Sequence, residues 1–208
     1  MGYQLTTPPN VEPLSLAEAK LHLRVDVADD DTLITALITA ARQFGEQLTA
    51  CSFCTQSWRY VLDSFPGGLN YASIPFGAGN SLPANAILLE KGPVASIDSI
   101  KYRDMSGAQQ TLSPSVYTAD LSGSLARITP KFGQVWPPAL PQIAAVEVAF
   151  TAGFGAAVAV PASVKQWMLL RIGAMYENRE EFLTGRGITV AELPFVDSLL
   201  DTIRIVRA

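Results

Sequence analysis

The sequence contains few charged residues, and no stretch of it is strongly basic. Charged side chains make up 16% of the 208 residues, and the formal net charge is -4. Proteins that read a nucleic-acid sequence usually carry a basic patch, because lysine and arginine neutralise the phosphates. The composition therefore argues against sequence-specific binding of nucleic acid.

Long hydrophobic runs are also missing, although 49% of the residues are apolar. The longest apolar stretch, from Trp167 to Met175, is interrupted by Arg171 and is shorter than the roughly 20 residues that a membrane helix needs. The N-terminus has neither the basic region nor the apolar region of a signal peptide. We therefore expect a soluble, intracellular protein with a sizeable hydrophobic core.

Cysteine and histidine are scarce: the chain contains only Cys51, Cys54 and His22. A redox pair of the thioredoxin type precedes a helix, whereas Cys51 and Cys54 follow a predicted helix, whose C-terminal dipole disfavours a thiolate. A structural zinc site needs four ligands. The segment GFGAAV at 153–158 lacks the final glycine and the βαβ setting of a dinucleotide loop. We therefore predict two small buried thiols, a packed or surface His22, and no metal or cofactor.

Helical signals occupy both ends of the chain. Ser15 and Glu18 form a capping box, which predicts a short helix that ends near Leu23. The acidic triplet 29–31 precedes a second helix, and we interpret it as N-capping carboxylates rather than as a metal site. Apolar residues with helical spacing follow it: Leu33, Ile34, Leu37, Ile38, Ala41, Phe44 and Leu48. A third helix, apolar on nearly all faces, is predicted after Pro161, and a last apolar-periodic element follows Pro194.

Strand signals fill the middle of the chain. Trp58, Tyr60 and Leu62 alternate with Arg59, Val61 and Asp63, as in a half-buried strand. Similar short runs recur between glycine and proline turns and predict antiparallel pairing. The runs cover residues 56–65, 86–90, 96–104, 116–120, 125–129 and 144–152. Residues 67–83, which are rich in glycine, asparagine, serine and proline, are expected to form a long mobile loop.

These signals together predict an α+β fold, in which a helical core is formed by the N- and C-terminal helices and an antiparallel β subdomain is inserted between them. The expected divisions are 1–54 for the N-terminal arm and the first core helices, 55–160 for the β subdomain, and 161–208 for the last core helices. Pro8 and Pro9 favour an extended arm before the first helix.

A polar cluster at the end of the third helix is the candidate for chemistry. It contains Tyr176, Glu177 and Arg179, followed by Glu180 and Glu181. Tyrosine, carboxylates and arginine can transfer protons, yet they also suit the polar end of an apolar helix ahead of glycine. No nucleophile elbow or phosphate-binding loop accompanies them. We therefore assign no catalytic residue and interpret Tyr176, Glu177 and Arg179 as structural or interaction residues, with Arg179 partly buried and joining the last helices.

Six groups of segments occur in a characteristic order along the chain. They are TTPPNVEPLSLAEAKLHLRVD; DDDTLITALITAARQFGEQLT; TQSWRYVLDSFP; IDSIKYRDMSGAQQTL followed by VYTAD; VEVAFTAGF ahead of VPASVKQWMLLRIGAMYENRE; and LPFVDSLLDTIR. In order and spacing they resemble the head-tail connector (adaptor) proteins of long-tailed bacteriophages and prophages, in the branch with a β insertion in the helical fold. The resemblance covers almost the whole chain.

The resemblance implies a structural virion protein rather than an enzyme. Identical subunits, on the order of a dozen, would form a ring that connects the capsid portal to the tail and extends the DNA channel. The implied partners are the portal protein, a tail-completion or tail-terminator protein, and double-stranded DNA that passes without sequence-specific binding; no membrane is involved. The implied location is the virion neck, and the host cytoplasm during assembly.

Two alternatives remain open from the sequence. The chain could be a tail-terminator or neck subunit on the tail side of the joint, or an enzyme for a small ligand that uses the cluster at 176–181. In the connector interpretation, the N-terminal arm, the 67–83 loop and exposed strand edges are the segments expected to reach a neighbouring subunit.

Overall fold

The computed structural model describes residues 2–67, 85–178 and 196–205. The chain forms two compact units. One draws on Met1–Pro9, Thr55–Gly153 and Ile205–Ala208, and the other on Asn10–Cys54 and Phe154–Arg204. We call them the β unit and the helical unit. The predicted α+β class is confirmed, whereas the boundaries differ from the expected divisions: the N-terminal residues group with the strands, and the β segment ends at Gly153 rather than at residue 160.

The β unit contains two antiparallel sheets. Its strands are β1 (Gly2–Thr7), β2 (Gln56–Leu62), β3 (Ile87–Leu89), β4 (Val94–Arg103), β5 (Gln109–Thr111), β6 (Tyr117–Asp120), β7 (Ala126–Pro130) and β8 (Val146–Ala152). The larger sheet has the order β1-β2-β8-β4-β5, and the smaller sheet has the order β3-β7-β6. Each of the six predicted strand runs overlaps one of these strands, although β4 begins before its run and β7 ends after its run.

The central strand β8 explains why this part of the chain forms a sheet. Its residues alternate between fully and partly buried positions, so that Val146, Val148 and Phe150 point into one core. This period of two matches the pleat of a strand and not the turn of a helix. The core also receives Ile100 from β4 and Ile128 from β7, both with no exposed surface.

Strand β1 changes the interpretation of the N-terminal arm. The arm is extended, as predicted, but it pairs with β2 of its own chain from Gly2 opposite Val61 to Thr7 opposite Ser57. The rings of Tyr3 and Tyr60 stack across this pair, with centroids 4.4 Å apart. Because Gly2–Thr7 is a strand of its own β unit, it is not a free arm.

The helical unit contains α1 (Leu16–Leu23), α2 (Asp31–Thr49) and α3 (Ala162–Glu177), with short 3₁₀ helices at Ala157–Ala159 and Asp197–Leu200. The capping box is confirmed: the Ser15 hydroxyl accepts from the Glu18 amide at 3.2 Å, and the Glu18 carboxylate accepts from the Ser15 amide at 2.7 Å. Helix α2 buries Ile34, Ile38 and Ala41, as its spacing predicts. Among the described residues, no helix has both the length and the hydrophobicity to cross a membrane.

One prediction about the C-terminal third needs correction. Helix α3 packs against α1, α2 and the 3₁₀ helix at Asp197–Leu200, and it fully buries Val164, Trp167, Met168 and Ile172. The element predicted after Pro194 is a 3₁₀ helix at Asp197–Leu200 followed by turns, and not an α-helix. The predicted loop at 67–83, apart from Gly67, and Arg179, Glu180 and Glu181 lie outside the described residues.

Candidate functional site

Tyr176, in the last turn of α3, is held by a carboxylate at the start of α2. Its hydroxyl donates a hydrogen bond to Oδ2 of Asp30, and both side chains are half-buried. Asp30 occupies the N-cap position of α2 but makes no side-chain cap bond. The predicted capping role is therefore wrong for the Asp30 side chain, which instead joins α2 to α3.

Asp31 of the acidic triplet and Glu177 of the polar cluster lie in different surroundings. Asp31 forms an ion pair with Lys20 of α1, with Nζ and Oδ1 2.6 Å apart. Glu177 is exposed at the end of α3. The interpretation of Tyr176, Glu177 and Arg179 as interaction residues stays a prediction, although the tyrosine has a clear structural contact.

A buried charge network in the helical unit was missed by the sequence analysis. The guanidinium of Arg42 donates to Glu12 at 2.7 Å and to Glu46 at 2.9 Å. Glu46 also accepts from the backbone amide of Phe53 at 2.8 Å, and Glu12 accepts from Thr39 at 3.0 Å. The network thus joins the segment before α1, the middle of α2 and the segment after α2. The Arg42–Glu46 spacing of four residues, on the apolar face of α2, was the available sequence signal.

The charges in this network act on one another and on a nearby thiol. Burial alone would lower the pKa of the Arg42 guanidinium, but its hydrogen bond to Glu12 and the charge of Glu46 outweigh burial and raise that pKa. Burial raises the pKa of Cys54 to about 11, and the charges of Glu12 and Glu46 act in the same direction. At neutral pH the Cys54 thiol is therefore protonated and a poor nucleophile.

The prediction of two small buried thiols is confirmed. Cys51 and Cys54 are both buried and neither forms a disulfide. The Cys51 thiol donates to the carbonyl oxygen of Ile203 at 2.9 Å. In the part of the chain that the structure describes, no group of three or more histidine, cysteine or acidic residues could hold a metal ion. His22 is exposed on α1, which agrees with a surface role.

A second polar contact attaches the 3₁₀ helix Asp197–Leu200 to α3. The Asp197 carboxylate accepts from the indole of Trp167 at 3.0 Å and from the guanidinium of Arg171 at 2.7 Å. These two donors, first the indole and then the guanidinium, lower the pKa of Asp197. Leu200, the last residue of this short helix, is fully buried. This part of the C-terminal segment is therefore packed against the helical unit.

The surface of the β unit includes a loop that exposes large apolar side chains. Residues 131–145 connect β7 to β8, and Phe132, Val135 and Ile143 in this loop are 106%, 82% and 86% exposed. We call this segment the 131–145 loop. Three exposed side chains of this size make the loop a candidate for a surface that binds another protein.

The helical unit also exposes an apolar side chain, which borders two grooves. Leu21 on α1 is 81% exposed and lies between two shallow grooves. One groove, of about 530 Å³, is lined by Ala17, Lys20, Leu21, Arg24, Val25 and Asp26. The other, of about 360 Å³, is lined by Leu14, Glu18, Leu21, His22, Lys165 and Leu169. We call Leu21 and its two grooves the Leu21 face.

Solved structures share this fold over the whole chain. A chain from the neck of an empty gene transfer agent (GTA) particle, computed with C6 symmetry, is 24% identical, with a TM-score of 0.76. A chain from the virion of a native GTA particle is also 24% identical, with a TM-score of 0.77. A third, from the neck of a native GTA particle computed with C12 symmetry, is 24% identical, with a TM-score of 0.66. Each match covers 100% of this chain and 97% of the other.

A family model matches part of the chain. Residues 13–110 match the model of phage gp6-like head-tail connector proteins. No curated protein sequence matches the chain. The matched residues include the capping box of α1, helix α2 and the strands β2 to β4, which contain some of the segments on which the resemblance was based. Residues 13–110 are thus similar to the phage gp6-like head-tail connector family, and the chain as a whole shares the fold of GTA neck and virion chains.

Proposed function

We propose that the chain is a structural subunit of a particle neck, where identical copies form a closed ring that connects the capsid portal to the tail. The observation that carries this proposal is the fold shared over 100% of the chain with chains of GTA necks that were computed with C6 and C12 symmetry. We propose a ring of twelve copies on the basis of the C12 neck. During assembly the subunit would be in the host cytoplasm, and afterwards in the neck.

The distribution of charge supports a channel through which DNA passes without being held. Residues 10–54 and 154–204, which form the helical unit, carry eight basic and thirteen acidic side chains, a net charge of -5. Residues 55–153 carry six of each, a net charge of zero. Tight phosphate contacts by lysine and arginine would slow moving DNA in a salt-dependent way. We infer that double-stranded DNA passes without sequence-specific binding.

The polar contacts within the helical unit support a structural role rather than catalysis. Tyr176 is bonded to Asp30, and Arg42 is bonded to Glu12 and Glu46. A catalytic acid or base must be able to reach a substrate, whereas these groups are hydrogen-bonded to other side chains of the same unit. We therefore propose that the chain is not an enzyme, and that Tyr176, Glu177 and Arg179 serve packing or subunit contacts.

Electron microscopy of the purified protein, alone and mixed with portal-bearing heads that lack tails, tests the proposal. We expect closed rings in solution or on the portal, with a single copy number. Purified tail tubes provide the comparison, because a tail-side subunit would bind them and leave the heads unoccupied. A protein that stays monomeric in solution and binds neither heads nor tubes would refute the neck function.

A further inference from the structure

The 131–145 loop is anchored to the rest of the β unit at two positions, although it exposes apolar side chains. The Trp136 ring stacks on Phe65 with centroids 4.9 Å apart, and its indole donates to the carbonyl oxygen of Asn85 at 2.7 Å. Further along the loop, the Leu140 amide donates to the carbonyl oxygen of Arg103 at 2.9 Å. Because the loop is fixed before it meets a partner, binding through Phe132, Val135 or Ile143 loses little conformational entropy.

The Leu21 face has the complementary shape. The loop presents convex side chains, whereas the two grooves beside Leu21 offer about 530 and 360 Å³ of concave surface. Two basic groups at the grooves already have acidic partners, since Lys20 pairs with Asp31 at 2.6 Å and Lys165 pairs with Glu18 at 3.7 Å. Apolar side chains can therefore cover these grooves without burying a lysine that has lost its partner.

Charge also favours contact between the two surfaces. The 131–145 loop contains no acidic residue and one basic residue, Lys131, which precedes Phe132. The helical unit, on which the Leu21 face lies, has a net charge of -5. Lys131 is therefore attracted to the helical unit as a whole and can approach the carboxylate of Asp26 at the larger groove, although Arg24 at the same groove opposes this approach locally.

A closed ring requires each subunit to present two different faces that fit one another. We propose that the 131–145 loop of one subunit docks on the Leu21 face of the next subunit, with Phe132 and Val135 in the grooves beside Leu21. The proposal rests on the ring function proposed above and names the surface that forms the ring. A second copy is the favoured occupant because the same chain carries both the convex and the concave apolar surface.

Cross-linking between two differently tagged chains tests this contact directly. One chain carries Val135→Cys and the other Leu21→Cys; Cys51 and Cys54 are 3% and 0% exposed, so their background reaction is low. The chains are mixed, assembled into rings in solution or on portal-bearing heads, and treated with a short bismaleimide. We expect a product that carries both tags. Met105→Cys, at a 61% exposed apolar position of the same β unit, replaces Val135→Cys in the control and should give at least tenfold less product.

Mixing of two defective variants provides an independent test. The loop variant carries Phe132→Ser and Val135→Ser, and the face variant carries Leu21→Asp. Each alone should lose at least tenfold in ring yield. Since each retains one of the two surfaces, an equal mixture should form dimers that contain both variants but no closed rings. Circular dichroism checks that each variant folds. If a variant does not fold, the cross-linking result alone decides whether the contact forms.

The results separate this contact from the neck function. Wild-type rings without the doubly tagged product, or rings of normal yield from both variants, would overturn the contact and leave the neck function standing. Cross-linking of Val135→Cys to the portal or to a tail protein instead of Leu21→Cys would also overturn it. Failure of the wild-type chain to assemble in solution or on heads would overturn both proposals.

Discussion

At the scale of single residues, Arg42 illustrates how a charge is kept inside the helical unit. Its side chain is 8% exposed, and its partners Glu46 and Glu12 are 12% and 29% exposed. Arg42→Met would leave the buried Glu46 carboxylate without its cation, so we expect a loss of about 3–5 kcal/mol in the free energy of unfolding. Urea denaturation followed by circular dichroism measures this change.

Arg127→Met is the matched control for that prediction. Arg127 pairs with Asp120 in the β unit, but the two side chains are 45% and 38% exposed. Solvent screens such a pair, so we expect a much smaller loss than for Arg42→Met. Equal losses for the two variants would show that burial of the Arg42 network has no energetic consequence.

Cys54 gives a prediction for alkaline pH. The thiol ionises with an ordinary pKa of 9.0 in the unfolded chain and with a pKa of about 11 in the folded protein. Between these values the folded state holds the proton more tightly, so the free energy of unfolding falls as pH rises from about 9 to about 11. Below pH 9 the Cys54 thiol is protonated in both the folded and the unfolded state, so it does not lower the free energy of unfolding.

Denaturation at a series of pH values, with Cys54→Ala as the comparison, measures this effect. Burial also raises the pKa of Tyr60 and Tyr117, which adds a decline in the same direction to both proteins. The difference between the two curves therefore isolates Cys54. Parallel curves from pH 8 to pH 11 would contradict the assignment.

At the scale of elements, the packing of α2 depends on a glycine. A Cβ atom on Gly45 would lie 2.7 and 2.8 Å from the Phe53 ring and 2.9 Å from the Trp167 ring. Helix propensity favours alanine over glycine by about 1 kcal/mol, whereas overpacking costs about 1–3 kcal/mol. We expect Gly45→Ala to lower the free energy of unfolding by up to about 2 kcal/mol in a urea titration.

Gly173 in α3 is the matched control, because its added Cβ would have its nearest neighbour, Nε2 of His22, at an ordinary contact distance of 3.6 Å. Gly173→Ala should therefore raise the free energy of unfolding by up to about 1 kcal/mol. If both alanine variants were stabilised, Gly45 would not be required for the packing of α2.

Comparison of the elements also shows where local sequence patterns are sufficient to predict secondary structure. The strand at β2, the alternation at β8 and the capping box of α1 are predicted from local signals, and the structure confirms them, although burial along β2 does not alternate. The segment after Pro194 has helical spacing of its apolar residues, yet only Asp197–Leu200 is helical, and in the 3₁₀ form. Here contacts of Asp197 with Trp167 and Arg171, and the burial of Leu200, decide the conformation, and a local pattern does not contain them.

At the scale of the whole molecule, net charge predicts the response to DNA. The chain carries 15 basic and 19 acidic side chains. Without an excess of cations, few counterions are released on contact with a duplex, so we expect no retention of double-stranded DNA in a gel-shift assay at about 0.1 M salt. Retention that weakens steeply as salt is added would indicate a basic DNA-binding surface and contradict a channel that does not hold DNA.

The sequence by itself determined the class of fold, the positions of most strands and helices, and the resemblance to connector proteins, because hydrophobic periodicity and capping act over a few neighbouring residues. Only the tertiary structure decided that Gly2–Thr7 pairs with β2, that Tyr176 binds Asp30, and that Arg42 binds Glu12. In the sequence, Arg42 and Glu12 are 30 positions apart, and Tyr176 and Asp30 are 146 positions apart. Such contacts depend on how the chain returns on itself, which no local pattern specifies.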